Sequence, residues 1–161
     1  MRGITPCLWF DDNAEEAARF YTAIFKNSRV LSVARYGEAG AGAAGRPEGS
    51  VMTVLFALQG QVFLALNGGP IFNLSPAISF VVNCETQKEV DHFWKKLGAG
   101  GEALECGWLR DKFGVSWQIV PTALGEMLQD KDAARAERVM KAMLRMKKIE
   151  IAGLKRAYEL A

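Results

Sequence analysis

Histidine is almost absent from this chain: His92 is the only one among 161 residues. Sites that bind borderline metal ions or relay protons near neutral pH lean on that side chain, so either function would need carboxylates or thiols instead. Thiols are also scarce. Cys7, Cys84 and Cys106 make an odd count at spacings that suggest no disulfide framework, so reduced thiols in a cytoplasm are expected. Charge of one sign is lacking too. Twenty Lys and Arg face eighteen Asp and Glu, a net charge of +2 that gives no case for a nucleic-acid partner. From Gly49 to Cys84 there is no charged residue at all, which raises the question of a membrane span. The longest near-continuous apolar run there, VMTVLFAL, is only eight residues, and QGQ, NGGP and Asn73 interrupt the remainder of the stretch. It therefore reads as buried sheet, and no membrane partner is expected. The opening MRGITPCLWF is too soon interrupted to serve as a signal peptide.

Half the residues are apolar and about a quarter charged, the balance of one globular domain or two small half-modules sharing a core. Residues 40–45, GAGAAG, spell the G-x-G-x-x-G of dinucleotide-binding proteins. That fingerprint needs a helix opening behind the glycines and an acidic residue about 20 positions on. RPEGS and then the β-branched VMTVLFAL come next instead, and the acid is missing. The segment is expected to be an idle, mobile connection between strands, and no cofactor is expected.

An internal repeat organises the chain. PCLWFDDNAEEAARFYTAIF and SFVVNCETQKEVDHFWKKL each read as strand, cap and amphipathic helix. A shift of 73 positions brings Asn13 onto Thr86, Glu16 onto Glu89, and Phe20–Tyr21 onto Phe93–Trp94. Cap residue plus Glu three later is a capping-box spacing, so Asn13 and Thr86 are expected N-caps. Strand-like segments succeed each helix: 28–36, 51–58 and 61–67 in the first half, and 101–106, 107–111 and 115–121 in the second. A tight turn is expected at QGQ and another at DKFG. The predicted plan is α+β: a βαβββ module over 1–70, a second over 77–122, and a helical extension over 123–161. Alternation in the strands leaves one sheet face for the helices and the other for a cleft.

This plan, together with WFDDNAEEAARFY, ALNGGP, AISFVVNCET, AGGE and CGWLRDKFGVSWQIVP, resembles the vicinal-oxygen-chelate superfamily of glyoxalases, bleomycin-resistance proteins and extradiol dioxygenases. More narrowly it resembles the PhnB-like branch, a group often designated 3-demethylubiquinone 3-methyltransferase domain. A methyl donor such as S-adenosylmethionine usually sits in a doubly wound parallel sheet, which this plan does not build. The resemblance implies a divalent metal held by His, Glu or Gln from the first and last strands of each module. Neither face of the first, fourth or fifth strand offers His, Asp or Glu, and only Gln118 on the eighth matches a ligand position. One amide does not hold such an ion, so the expectation is a metal-free site. Asn67, Ser79, Ser116 and Gln118 are expected to face the cleft by strand parity, with Trp108 the tryptophan best placed to line it.

Other candidates have structural readings. His92 lies beside the apolar stripe Val90, Phe93, Trp94 and Leu97 and is expected to face solvent. Cys84 and Cys106 lack an identifiable base, and Asp111 is placed to cap the DKFG turn. In the extension, Asp132 is expected to cap a helix carrying Ala136, Val139, Met140, Met143 and Leu144. A second helix there carries Ile149, Ile151, Leu154 and Tyr158. These stripes cover either the protein's own core or a subunit seam, and a homodimer is expected. The functional expectation is a metal-independent protein that binds a small molecule of unassigned identity. The alternative is a metal-independent transferase or isomerase of the same fold that uses a thiol or an unrecognised group.

Overall fold

A computed structural model describes residues 3–160. The chain forms two compact units, one ending at Leu74 and the other beginning at Ser75. Among the described residues no helix is long and apolar enough to cross a membrane.

The first unit contains β1 (Cys7–Phe10), α1 (Ala14–Ile24), β2 (Arg29–Arg35), α2 (Glu38–Ala44), β3 (Val51–Leu58) and β4 (Gln61–Asn67). Its sheet runs in the order β1-β4-β3-β2, with β1 parallel to β4 and the other pairs antiparallel. Alternation decides which face is buried. Leu8, Phe10, Val54, Phe56, Phe63 and Ala65 turn toward α1, which meets them with Ala14, Ala17, Ala18, Tyr21 and Ile24. The three alanines let the helix approach closely, and the Tyr21 ring stacks on Phe56, which stacks in turn on Phe63. Gln59 and Gly60 both have positive φ, at 48° and 91°, the two-residue hairpin turn expected at QGQ.

Two expectations about helices fail in this unit. The glycine-rich segment is not an idle connection: Glu38–Ala44 forms α2. Alternating alanines supply helix propensity that offsets Gly40 and Gly42. Ala41 is buried, and Tyr36 lies under Gly40, within 3.4 Å of where a Cβ would stand. Gly45, in the left-handed region at φ 62°, ends the helix. The glycines therefore lie within and behind the helix, with its carbonyl end nearest Gly45, opposite to the geometry that cradles phosphate. The second failure concerns Asn13, whose side chain makes no cap hydrogen bond. Asn67 takes that role from across the sheet, its Oδ1 accepting from the Ala14 N–H at 2.8 Å.

The second unit contains β5 (Ser79–Cys84), α3 (Gln87–Leu97), β6 (Glu102–Ala103), β7 (Trp108–Arg110) and β8 (Ser116–Pro121). It then adds α4 (Thr122–Leu128), α5 (Ala133–Met143) and α6 (Ile151–Glu159). The sheet order β5-β8-β7-β6, with β5 parallel to β8, repeats the first unit's pattern. Thr86 closes the expected capping box: Glu89 N–H donates to its Oγ1, and Glu89 Oε2 accepts from its N–H, each at 3.3 Å. Val82, Cys84, Val90, Phe93, Leu97, Leu109, Trp117 and Ile119 form the core.

The three C-terminal helices are built into this unit. Asp132 caps α5 as expected, accepting from Ala134 and Arg135 N–H groups. Leu124, Val139, Ile149 and Leu154 bury one another, flanked by Val120, Met127, Met143 and Tyr158. Backbone bonds from Cys106 and Gly107 to Met146 and Lys147 dock the α5–α6 connection. The Gln87 side chain holds both Ile149 C=O and Ile151 N–H, at 3.0 and 2.8 Å. Most of the apolar stripe thus covers the unit's own core. Leu144, just after α5, keeps a largely exposed apolar side chain.

The two cap assignments differ in measurable stability. Replacing Asn67 with Ala strands the Ala14 N–H and the Val51 C=O and is expected to cost about 2–4 kcal/mol. Asn13→Ala, with no cap bond to lose, is expected to change stability by less than about 0.5 kcal/mol. Urea unfolding of both variants checks the pair, and the reverse ranking would restore Asn13 as the cap.

Candidate functional site

Parallel pairing in the second unit sets Ser79 beside Ser116 and Val81 beside Gln118, while β7 sets Trp108 opposite Gln118. Four of the five residues expected from sequence thus share the sheet face turned away from Val82, Leu109 and Ile119. Gln118 Nε2 donates to Ser79 Oγ at 2.9 Å, which leaves the Gln118 carbonyl oxygen available to accept. Ser116 is buried, and its Oγ has no hydrogen-bond partner among the described residues. Arg110, across from Ser116, is held by Glu102 at 2.6 Å. This face offers hydrogen bonds with little net charge.

Asn67 does not join it. It lies in the first unit on the same face as Phe63 and Ala65, only 3% exposed. Its amide is fully engaged: Oδ1 accepts from Ala14, and Nδ2 donates to Val51 C=O at 3.1 Å. The parity expectation assigns Asn67 to the open face along with Gln61, Phe63 and Ala65. Packing of Phe63 and Ala65 on α1 reverses that assignment.

The open-face positions do not fit a divalent metal. On the first and last strands of each unit they are Cys7 and Trp9 on β1, Val62, Leu64 and Leu66 on β4, Ser79, Val81 and Asn83 on β5, and Ser116 and Gln118 on β8. Among the described residues no group of three His, Cys, Asp or Glu converges on a point. A hard or borderline ion stripped of water needs several anionic or imidazole ligands.

The first unit holds a cavity of about 340 Å³ that sequence reasoning missed. Its walls come from Trp9 on β1, Leu66 on β4, Tyr36 after β2, Ala43 and Ala44 at the end of α2, and the 68–71 turn. Trp9 is fixed by its Nε1–H, which donates to Gly69 C=O at 2.8 Å, and by an edge contact with Phe72. Its ring lies across Gly68 so closely that an added Cβ would stand 2.1 Å from it. Tyr36 is anchored by its hydroxyl on Asn67 C=O at 2.6 Å. Arg46 is the one charged residue of the lining. The signals are present in the sequence as two glycine clusters, residues 40–45 and 68–69, but nothing local joins them.

The remaining candidates are structural. His92 is exposed, as expected. Asp111 is buried and caps its turn through Oδ1, which accepts from Phe113 and Val115 N–H groups. Its Oδ2 also accepts from Trp117 Nε1 at 2.8 Å, so the turn and the core tryptophan are fastened together. Cys106 sits half-buried in the β6–β7 turn. Cys84 is buried, and desolvation, with a smaller contribution from the Glu89 charge, pushes its thiol from 9.0 up to about 11. A thiol so held is neutral at physiological pH and a poor nucleophile.

The two units with their repeated parallel-edged sheets define the vicinal-oxygen-chelate fold. A PhnB protein of Bacillus cereus bearing a 3-demethylubiquinone-9 3-methyltransferase designation is 38% identical over 75% of this chain and 100% of its own, with a TM-score of 0.66. Protein PA1353 of Pseudomonas aeruginosa, 18% identical over 75% of this chain and 98% of its own, shares the fold at a TM-score of 0.61. So does the fosfomycin resistance protein FosX of Listeria monocytogenes, 14% identical over 78% and 98%, at 0.51. No curated protein matches. The sequence profile of the 3-demethylubiquinone-9 3-methyltransferase family matches residues 2–120. The chain belongs to that family, within the PhnB-like branch of the superfamily.

The thiols supply a check on this site description. A water-soluble disulfide reagent at pH 7.5 is expected to modify exposed Cys7, more slowly than a free thiol because desolvation raises its pKa, and to leave buried Cys84 untouched in the folded protein. Burial and the raised pKa both keep Cys84 silent, and rapid labelling of Cys84 near neutrality would overturn the assignment.

Proposed function

We propose that the protein binds an organic small molecule without a metal, using the cavity of its first unit. One observation carries this reading: a half-enclosed space of about 340 Å³, with Trp9, Leu66, Pro70 and Ile71 among its walls. Such a space falls at the small end of the roughly 300–1,000 Å³ range of ligand pockets and seats one compact molecule. Methyl transfer, the reaction in the family designation, would require donor and acceptor to be held together. The polar face of Ser79, Trp108, Ser116 and Gln118 is the second candidate contact surface, suited to neutral hydrogen-bonding groups. Free thiols at all three cysteines accord with a cytoplasmic setting. The working assembly in this reading is a homodimer. Each unit has exposed apolar side chains to offer to such an assembly, Ile71 and Phe72 on the first and Ile78 and Val81 on the second, all at least half exposed.

Elemental analysis and native mass spectrometry of protein purified without chelators test the core of the proposal. The expected result is substoichiometric metal and an organic adduct whose retention drops several-fold in Trp9→Ala. Gln118→Ala is expected to leave stability nearly unchanged. Stoichiometric nickel, zinc, manganese or iron, lost in Gln118→Ala, would overturn the metal-free reading. Sedimentation at micromolar concentration should give a dimer, and a monomer there would remove the proposed assembly.

A further inference from the structure

The cavity's single charge is incompletely paired. The Arg46 side chain is only 18% exposed, and its one acceptor among the described residues is Asp11, whose Oδ1 lies 3.3 Å from Nη1. Asp11 is 54% exposed, so water screens much of its pull. The Nε is buried and has no hydrogen-bond partner among the described residues. In a guanidinium, Nε and Nη2 form one edge of the planar fork, and Nη1 belongs to another. Asp11 therefore engages Nη1 only, and Nη2 makes no hydrogen bond among the described residues. The buried Nε is out of a ligand's reach, so an incoming anion would meet the guanidinium at Nη2.

The neighbouring carbonyl end of α2 works against an anion. A macrodipole contributes about half a charge at most, and a two-turn helix is short; the full charge of Arg46 outweighs it. The rest of the lining is indole, phenol, aliphatic side chain and glycine backbone. We infer that the cavity takes a ligand with a compact apolar body and one anionic group, the anion paired with the Arg46 guanidinium. This rests on the cavity being the ligand site, and it adds the chemical class of the ligand.

Two fluorescent probes with the same aromatic body separate the claims: 8-anilino-1-naphthalenesulfonate, which carries one sulfonate, and neutral N-phenyl-1-naphthylamine. Titrations of the full chain are expected to show the sulfonate binding at least about tenfold more tightly than the neutral probe. Arg46→Gln should abolish that preference while leaving the neutral probe's affinity unchanged. Arg46→Lys should retain part of it, because a point charge remains without the fork. Asp11→Asn breaks the same ion pair from the other side and should maintain or increase the preference, which excludes simple loss of that pair as the cause. Ala44→Phe, at an exposed position on the cavity rim, should block both probes. If Arg46→Gln weakens both probes equally or leaves the preference intact while Ala44→Phe still blocks them, the anion inference fails and the cavity reading stands. If Ala44→Phe leaves both probes bound, the cavity is not the site and both readings fall.

Discussion

The first unit depends on the buried amide of Asn67. Its side chain supplies the acceptor for the first turn of α1 and the donor for Val51 C=O at the start of β3. Its backbone carbonyl receives the Tyr36 hydroxyl. Three elements distant in sequence are thus fixed to the last residue of β4. Burying an amide is costly unless both its ends are satisfied, and here both are. The consequences reach the cavity. Tyr36, held at its hydroxyl, offers its ring to α2 at Gly40, and the end of α2 becomes a wall. Immediately after Asn67, Gly68 leaves room for the Trp9 ring that forms the opposite wall.

The second unit solves the same local problem differently. Its equivalent helix is capped from within by Thr86 and Glu89, a bond pattern that spans three residues. Local devices of this kind are legible in sequence, and so are the strand alternation, the QGQ hairpin and the Asp132 cap. The repeat at 73 positions is sufficient for the topology, because both sheets share the same order. The repeat misleads only where the two units diverge. It assigns Asn13 the role of Thr86, when the partner that caps α1 lies 53 residues away. The α2 segment misleads for a related reason. Two glycines in seven residues argue against a helix by propensity, and the alanines around them, with Ala41 buried, decide otherwise.

The candidate sites divide along the same line. Ser79 and Gln118 are readable because strand parity places them, and their 2.9 Å hydrogen bond is a consequence of the register. The first-unit cavity is not readable. Its lining comes from positions 9, 36, 43–46, 66 and 68–71, no two groups of which form a motif together. Arg46 in particular reads in sequence as one more loop cation after a glycine run. Only the structure distinguishes it, by burying most of the side chain and leaving Nε without an acceptor among the described residues.

These environments also constrain what chemistry the chain's own groups can perform. General acid–base work needs a titrating side chain at the reacting atoms with a pKa near the working pH. His92 is on the exposed face of α3, and Asp111 is committed to three donors in its turn and core. Cys84 is a neutral thiol under its helix, with the Glu89 charge further disfavouring the thiolate. What the two open surfaces present instead is aromatic area, amide, hydroxyl, the Arg46 guanidinium and the Arg110–Glu102 ion pair. Those groups recognise shape, hydrogen-bonding pattern and charge. Binding makes full use of such a set. In the proposed reading they hold a ligand by position and by the fixed positive charge of Arg46.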